Sequence, residues 1–250
     1  MENIEKVADK LHDCRRIFFV TGAGISSESG LPTYRGIGGL YETTATEEGV
    51  PIETVLSGEM MESNPDMTWK YLNLMEKACR SATFNRAHKV IAEMEDTFES
   101  VCVLTQNIDG FHRAAGSRNV IDIHGDIHDI VCPGCGYRIE VEDFSGFDIP
   151  PLCPECTKVL RPDVVLFGET LPGNKCEKLM KEWEKGFDIV FSVGTTSVFP
   201  YISQPVLYAR HNGIPTVEIN PGETGVTYAV DIKISGKAAE TLDEMWKRYN

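Results

Sequence analysis

Long apolar runs are absent from this 250-residue chain, and none approaches the roughly 18 to 20 residues a helix needs to cross a bilayer. The N-terminal Met1-Glu2-Asn3-Ile4-Glu5-Lys6 lacks the basic-then-apolar order of a secretory signal. A cytosolic protein with no membrane partner is therefore expected. Positive charge is scarce as well. The 24 Lys and Arg side chains stand against 38 Asp and Glu, a net charge of -14, which repels nucleic acid and anionic lipid and makes direct nucleic-acid binding unfavourable. The chain is too short for two full-sized domains and fits one core, or one core with a small appended module. Its 42% apolar and 25% charged residues exclude wholesale disorder. Internal repeats and low-complexity segments are also missing.

Eight cysteines are present, and they divide into two groups. Cys14, Cys79, Cys102 and Cys176 stand alone in apolar or helical surroundings and read as small buried thiols. The others form two knuckles, Cys132-Pro-Gly-Cys135 and Cys153-Pro-Glu-Cys156, with 153 − 135 − 1 = 17 residues between them. Two Cys-x-x-Cys pairs at this spacing match a tetrahedral zinc ribbon far better than a redox pair. With four thiolates the metal has no open position, which gives it a structural role.

Ile4, Val7, Ala8 and Leu11 recur at helical spacing near the N-terminus. Ile17-Phe18-Phe19-Val20 then reads as a buried strand, followed by the glycine turn Thr21-Gly22-Ala23-Gly24-Ile25-Ser26-Ser27-Glu28-Ser29-Gly30, which should lead into a helix. Further strands are expected at 101–104, 120–123, 189–193, 216–219 and 232–234, with helical patterns near 66–80, 175–185 and 238–248. This alternation predicts an α/β fold with a parallel sheet covered on both faces. Polar loops follow the strands: Thr105-Gln106-Asn107-Ile108-Asp109-Gly110, His124-Gly125, Gly194-Thr195-Thr196-Ser197 and Asn220-Pro221-Gly222. In an open α/β sheet such loops converge on one crevice beyond the carboxyl ends of the strands. The cysteine region, about 129–160, reads as an insertion folded around its metal.

Taken in order, these loops resemble the sirtuins, the NAD-dependent protein-lysine deacylases. The matching segments run from Gly22-Ala23-Gly24-Ile25-Ser26 and Gly30-Leu31-Pro32-Thr33-Tyr34-Arg35-Gly36 through Thr105–Gly110, His124-Gly125 and the four cysteines. They continue through Arg161-Pro162-Asp163-Val164-Val165-Leu166-Phe167-Gly168-Glu169, Gly194-Thr195-Thr196 and Asn220-Pro221-Gly222. The resemblance implies a discontinuous Rossmann-like NAD-binding domain, 1–128 and 161–250, with a zinc-ribbon domain at 129–160 and a helical insertion near 36–85. It implies a loop over NAD containing Ala23, Gly24, Tyr34 and Arg35, and a nicotinamide pocket made by Asn107, Ile108 and Asp109. Gly194, Thr195, Asn220 and Ala238 would hold the adenosine end, with Gly22, Ile25, Gln106, Thr196, Pro221 and Gly222 completing the cofactor set. Asn107 and Asp109 would stand at the reaction centre with His124, the candidate general base, whose neutral imidazole suits proton removal near pH 7. Val165, Phe167, Gly168 and Glu169 would form the edge to which an acylated-lysine peptide adds as a strand. Zinc would sit on Cys132, Cys135, Cys153 and Cys156.

The chain departs from the common pattern in two places. Tyr34 replaces the usual Phe, and the loop after Thr196 reaches its proline one residue early. Succinyl- and malonyl-selective relatives carry a Tyr-x-x-Arg pair ahead of an Ala-His motif. Counting back from Ala87-His88 without gaps places Lys70 and Asn73 there, and the neighbouring Tyr71 is followed three residues later by Leu74. Neither register supplies the arginine, so uncharged acyl groups, chiefly acetyl, are expected. The other histidines, His12, His88, His112, His128 and His211, read as capping, core or surface residues, and Asp109 alternatively as a helix cap. Glu47 and Glu48 read as a solvated face. Two rival functions remain at this point: protein ADP-ribosyl transfer, and a non-catalytic zinc-ribbon binding module.

Overall fold

A computed structural model describes residues 2–32 and 46–250, so Tyr34 and Arg35 lie outside the described residues. Six parallel strands form the central sheet: β1 (Arg16–Thr21), β2 (Ser100–Thr105), β3 (Val120–Asp122), β7 (Ile189–Val193), β8 (Thr216–Ile219) and β9 (Ile232–Ile234). Their order is β3-β2-β1-β7-β8-β9, so the chain reverses direction of growth at the β1–β7 boundary. In open α/β sheets a ligand crevice lies beyond the carboxyl ends of the strands at such a reversal. A second, three-stranded sheet joins β4 (Gly125–Val131), β5 (Arg138–Glu140) and β6 (Arg161–Val164) in the order β5-β4-β6.

Alternation along β1 explains the layering. Ile17 and Phe19 point to one face, where α1 (Glu2–Leu11), α5 (Arg86–Met94) and α9 (Ala238–Tyr249) bury Val7, Leu11, Ile91, Leu242 and Met245 against them. Phe18 and Val20 point to the other, covered by α7 (Gly173–Glu184) and α8 (Pro200–His211) through Trp183, Ile202 and Val206. A strand buried on both faces needs a continuous apolar run, which is what Ile17–Val20 supplies. A third core joins the small sheet to the helices α2 (Ile52–Val55), α3 (Gly58–Ser63) and α4 (Pro65–Arg80). There the Trp69 indole donates to the Leu160 carbonyl at 2.8 Å and meets Phe144 edge-on at 5.2 Å. One last short helix, α6 (Phe111–Ala114), follows β2.

Within the glycine turn Thr21–Gly30, two single 3-10 turns stand at Ala23–Ile25 and Ser27–Ser29, ending at Gly30 with φ 89°. The Ser27 hydroxyl donates back to the Gly24 carbonyl at 2.8 Å, a local bond that holds the turn. The helix expected beyond Gly30 falls on residues outside the described ones. Among the described residues, no helix is long and apolar enough to cross a membrane.

Candidate active site

The crevice floor is built by backbones that approach closely. Gly24 N–H donates to the Gly194 carbonyl at 2.8 Å, and Gly22 N–H to that of Val193 at 3.2 Å. A Cβ on Gly24 would lie 2.7 Å from the Gly194 Cα, and Gly194 itself has φ 60°, so side chains are excluded from both loops at their crossing. Thr195 ties the neighbouring loops together: its hydroxyl accepts from Gln106 Nε2 at 2.7 Å and its carbonyl from Asn220 Nδ2 at 3.1 Å. The Thr196 carbonyl accepts from Gly225 N–H, and Gly222 N–H closes a turn on Asn220 Oδ1, with Pro221 between them. Ala238 opens α9, whose next N–H donates to Glu28 beside the glycine turn. Glu218, absent from the sequence-based set, is fully buried below this loop, where it accepts from the Thr224 and Thr227 hydroxyls and pairs with Lys233 at 3.1 Å. Its position inside an apolar strand hides it from pattern reading.

A buried polar network lies between this floor and α5. Ser26 Oγ donates to Asp109 Oδ2 at 2.7 Å, and Asn107 Nδ2 reaches Ser26 Oγ at 3.1 Å and the Gly22 carbonyl at 3.3 Å. Asp109 also accepts from Phe111 N–H at 3.0 Å, at the start of α6. Burial pushes the Asp109 carboxyl above its usual range, against the hydrogen bonds from Ser26 and Phe111. His88 Nε2 stands 3.4 Å from Ser26 Oγ, and the His88 and His112 rings meet at 4.9 Å. Both are buried, and desolvation lowers His88 to about 4 and His112 well below its ordinary value. Sequence reasoning treated them as generic histidines, because nothing local in the chain shows that they back the Ser26–Asp109 pair.

His124 follows β3, at the rim of the crevice. Its Nδ1 lies 3.0 Å from the Gln106 carbonyl, and since a carbonyl only accepts, Nδ1 carries the proton of the neutral ring. Nε2 is left with its lone pair, the form a general base requires, and the Tyr201 hydroxyl donates to it at 2.7 Å. Burial lowers the His124 pKa, opposed by the Gln106 bond and reinforced by Lys175.

The Val165–Glu169 segment is partly engaged. Val165 N–H donates to the His124 carbonyl at 2.8 Å, fixing the strand beside the base. Phe167 already bridges to Ser57, with bonds to Leu56 and Gly58. Glu169 is held by both nitrogens of the Arg161 fork at 2.6 and 2.9 Å, and Gly168 turns with φ 84°. A cavity of about 380 Å³ opens between the glycine turn and α4, walled by Ile52, Leu56, Tyr71, Leu74, Met75 and Cys79 and floored by Asn107, Ile108 and Asp109. Of the two registers weighed for α4, the cavity takes the second: Tyr71 and Leu74 face it, whereas Lys70 is 41% exposed and paired with Glu47 and Glu48 at 2.7 and 2.6 Å. Glu48 is therefore tied down, accepting also from the Tyr71 hydroxyl at 2.6 Å.

The four knuckle cysteines converge, all four Sγ atoms lying within 4.8 Å of one another. The Cys132–Cys156 and Cys135–Cys153 separations are 3.4 and 3.6 Å, far beyond a disulfide's ~2.0 Å and close to the ~3.8 Å edge of a tetrahedron with Zn–S bonds near 2.3 Å. The donor set fits zinc.

Comparison with known proteins agrees with this geometry. The Sir2 family model matches residues 22–200. An NAD-dependent protein deacylase 2 of Pseudomonas aeruginosa is 47% identical over 245 residues, covering 97% of this chain and 95% of that protein. Its namesake in Pseudomonas syringae is 43% identical, covering 96% and 98%. Among solved structures, a Sir2 homologue in complex with NAD superposes with TM-score 0.87 at 35% identity, covering 98% of this chain and 93% of that one. A Sir2 homologue mutant with ADP-ribose gives 0.89 at 34%, covering 98% and 96%. With its glycine crossing, its buried Asn107–Asp109 pair and its thiol cluster all inside that shared fold, the chain belongs to the Sir2 family.

Proposed function

We propose that this protein removes acetyl and other uncharged acyl groups from protein lysines, consuming NAD and giving nicotinamide, an O-acyl-ADP-ribose and free lysine, with His124 as the general base. The observation that carries this reading is the convergence of the Gly22–Ile25, Gln106–Asp109, Gly194–Thr196 and Asn220–Gly222 loops with His124 around one crevice. NAD supplies an electrophilic ribose carbon once its nicotinamide departs. Asn107, Ile108 and Asp109 hold the nicotinamide amide at the cavity floor, where Ser26 fixes the orientation of Asp109. The absence of a Cβ at Gly24 and Gly194 lets the two loops cross backbone to backbone and form the crevice floor, above which Gly194, Thr195, Asn220 and Ala238 would bind the adenosine side. His124 Nε2 takes a proton from a ribose hydroxyl, so that the hydroxyl can attack the acyl-derived carbon. Val165, Phe167, Gly168 and Glu169 guide the peptide past the base, and Cys132, Cys135, Cys153 and Cys156 hold zinc away from the chemistry.

Acyl choice follows from the cavity wall. Tyr71 gives its hydroxyl to Glu48, and Leu74 presents a hydrocarbon surface, so a succinyl carboxylate would be desolvated without a cation opposite it. One assay tests both levels. Pure protein incubated with NAD and acetyl-, butyryl- or succinyl-lysine forms of one peptide should release nicotinamide and free lysine in equal amounts, with kcat/KM at least tenfold lower for succinyl. Nicotinamide release with ADP-ribose attached to protein would establish ADP-ribosyl transfer instead. Succinyl at or above acetyl would overturn the acyl assignment.

A further inference from the structure

We infer that Tyr201 is a positioning residue for the general base: its hydroxyl, 2.7 Å from His124 Nε2, holds the imidazole ring in register for the acyl-transfer half of the reaction. This rests on the base role assigned to His124 above.

The placement has a local cause. After β7 the chain turns at Ser197, held in the left-handed region at φ 53°, and Pro200 starts α8 at once. The helix docks on the sheet through Ile202, Val206 and Ala209. Tyr201 stands on the first turn beside that stripe, stacked on Phe199 with ring centres 5.5 Å apart, and Phe199 meets the His124 ring edge-on at 6.4 Å. The half-buried Tyr201 thus has its ring fixed by stacking and its hydroxyl directed at one atom.

The chemistry of that atom gives the role. The Gln106 carbonyl fixes the proton on Nδ1, so Nε2 has a single in-plane lone pair and Tyr201 donates to it. An incoming ribose hydroxyl needs the same lone pair, and the phenol must yield it. Once Nε2 has taken the ribose proton it becomes a donor, and the phenol oxygen can accept from it. Tyr201 keeps its own proton throughout, and no bond at Tyr201 is made or broken. A hydroxyl, alone among neutral groups of this size, serves both protonation states, so the ring keeps its plane while its charge changes. Release of nicotinamide needs no base, which confines the effect to the later steps.

Tyr201→Phe removes the hydroxyl and keeps the stacked ring. Parent, Tyr201→Phe, His124→Ala and the double variant are compared in two assays: deacetylation of an acetyl-lysine peptide, and exchange of labelled nicotinamide into NAD in its presence. In Tyr201→Phe, deacetylation kcat should fall about three- to tenfold, the weight of one hydrogen bond at a reacting group, with KM for NAD and exchange within twofold of the parent. The double variant should be no slower than His124→Ala, because a residue acting only through the imidazole has nothing left to position. Deacetylation within twofold of the parent overturns the inference, as does exchange falling in step with deacetylation, or additive losses in the double variant. A parent that exchanges nicotinamide without deacylating would overturn the proposed function itself and this inference with it.

Discussion

The six-stranded sheet and the cysteine-bearing sheet solve the same problem by different means. In the large sheet β1 and β7 are buried on both faces, between two separate apolar cores, and the functional loops rise from strand ends that cannot shift without disturbing those cores. The small sheet has β4 at its centre and packs into the third core through Ile127, Ile130 and Val164, but β5 is exposed at all three positions. Apolar burial alone holds the first. The second has less apolar burial and carries four clustered thiols, which a zinc ion would cross-link. The strand ends under the functional loops thus draw their rigidity from hydrophobic packing, and a zinc there would secure a platform joined to α4 through Trp69.

The largest test of this contrast removes the metal. Structural zinc contributes roughly 10 to 16 kcal/mol in small metal-folded peptides, so Cys132→Ala, or chelation of the parent, should strip one zinc per chain and unfold the small sheet. Hydrogen exchange should show amides of β4 and β6 losing protection while those of β1 and β7 keep theirs. Equal loss in both sheets would make the metal a global staple, and no loss in either would make it dispensable.

Within the large sheet's territory the expected loss is catalytic. His124→Ala should lower deacetylation by about 10² to 10⁴ with NAD affinity and melting temperature preserved, since the ring sits on the crevice rim and makes one backbone bond. Asp109→Ala should instead impair nicotinamide exchange and stability together, because it removes the carboxylate acceptor of the Ser26 hydroxyl and of Phe111 N–H and one of the acceptors of Asn107 Nδ2. Measured turnover within a few-fold of the parent in the His124 variant would remove it from the base role.

The smallest effect separates the regions by pH. His88, neutral and buried with a folded pKa of about 4, binds its proton near 6.5 only once unfolded. Stability from this group is therefore complete above about pH 6.5 and is lost as pH falls toward 4, by about 3 kcal/mol. His112, lowered for the same reason, adds to the loss. Denaturant titration of the parent and of His88→Asn across this window should show a shallower slope in the variant. His124 is also lowered by burial, so the acid limb of kcat/KM should lie below pH 6.5. Identical stability slopes in parent and variant would free His88 from the network.

Much of this was already legible along the chain, because the signals were local. The apolar run Ile17–Val20, the knuckles at Cys132 and Cys153 and the polar loops after each strand sit in consecutive residues, where pattern and chemistry coincide. The glycine turn is legible as a turn, while the Ser27 bond to Gly24 inside it is visible only once the backbone is folded. The register of α4 stayed open between two neighbouring positions for a related reason. Lys70 and Tyr71 are adjacent in sequence, and only the packing of the helix on the small sheet decides which of them faces the cavity.

The sequence by itself determined the alternation of strand and helix, the metal-binding thiols and the order of loops that marks the Sir2 family. These follow from periodicity and from spacing along one chain. Only the tertiary structure decided that His88, with His112 against its ring, backs the Ser26–Asp109 pair, that Glu218 anchors the loop after Asn220, and that Tyr201 reaches His124 from 77 positions away in sequence. Each of those contacts joins residues brought together by sheet order and helix docking, and hydrogen bonds depend on distances of a few tenths of an ångström that no linear spacing encodes.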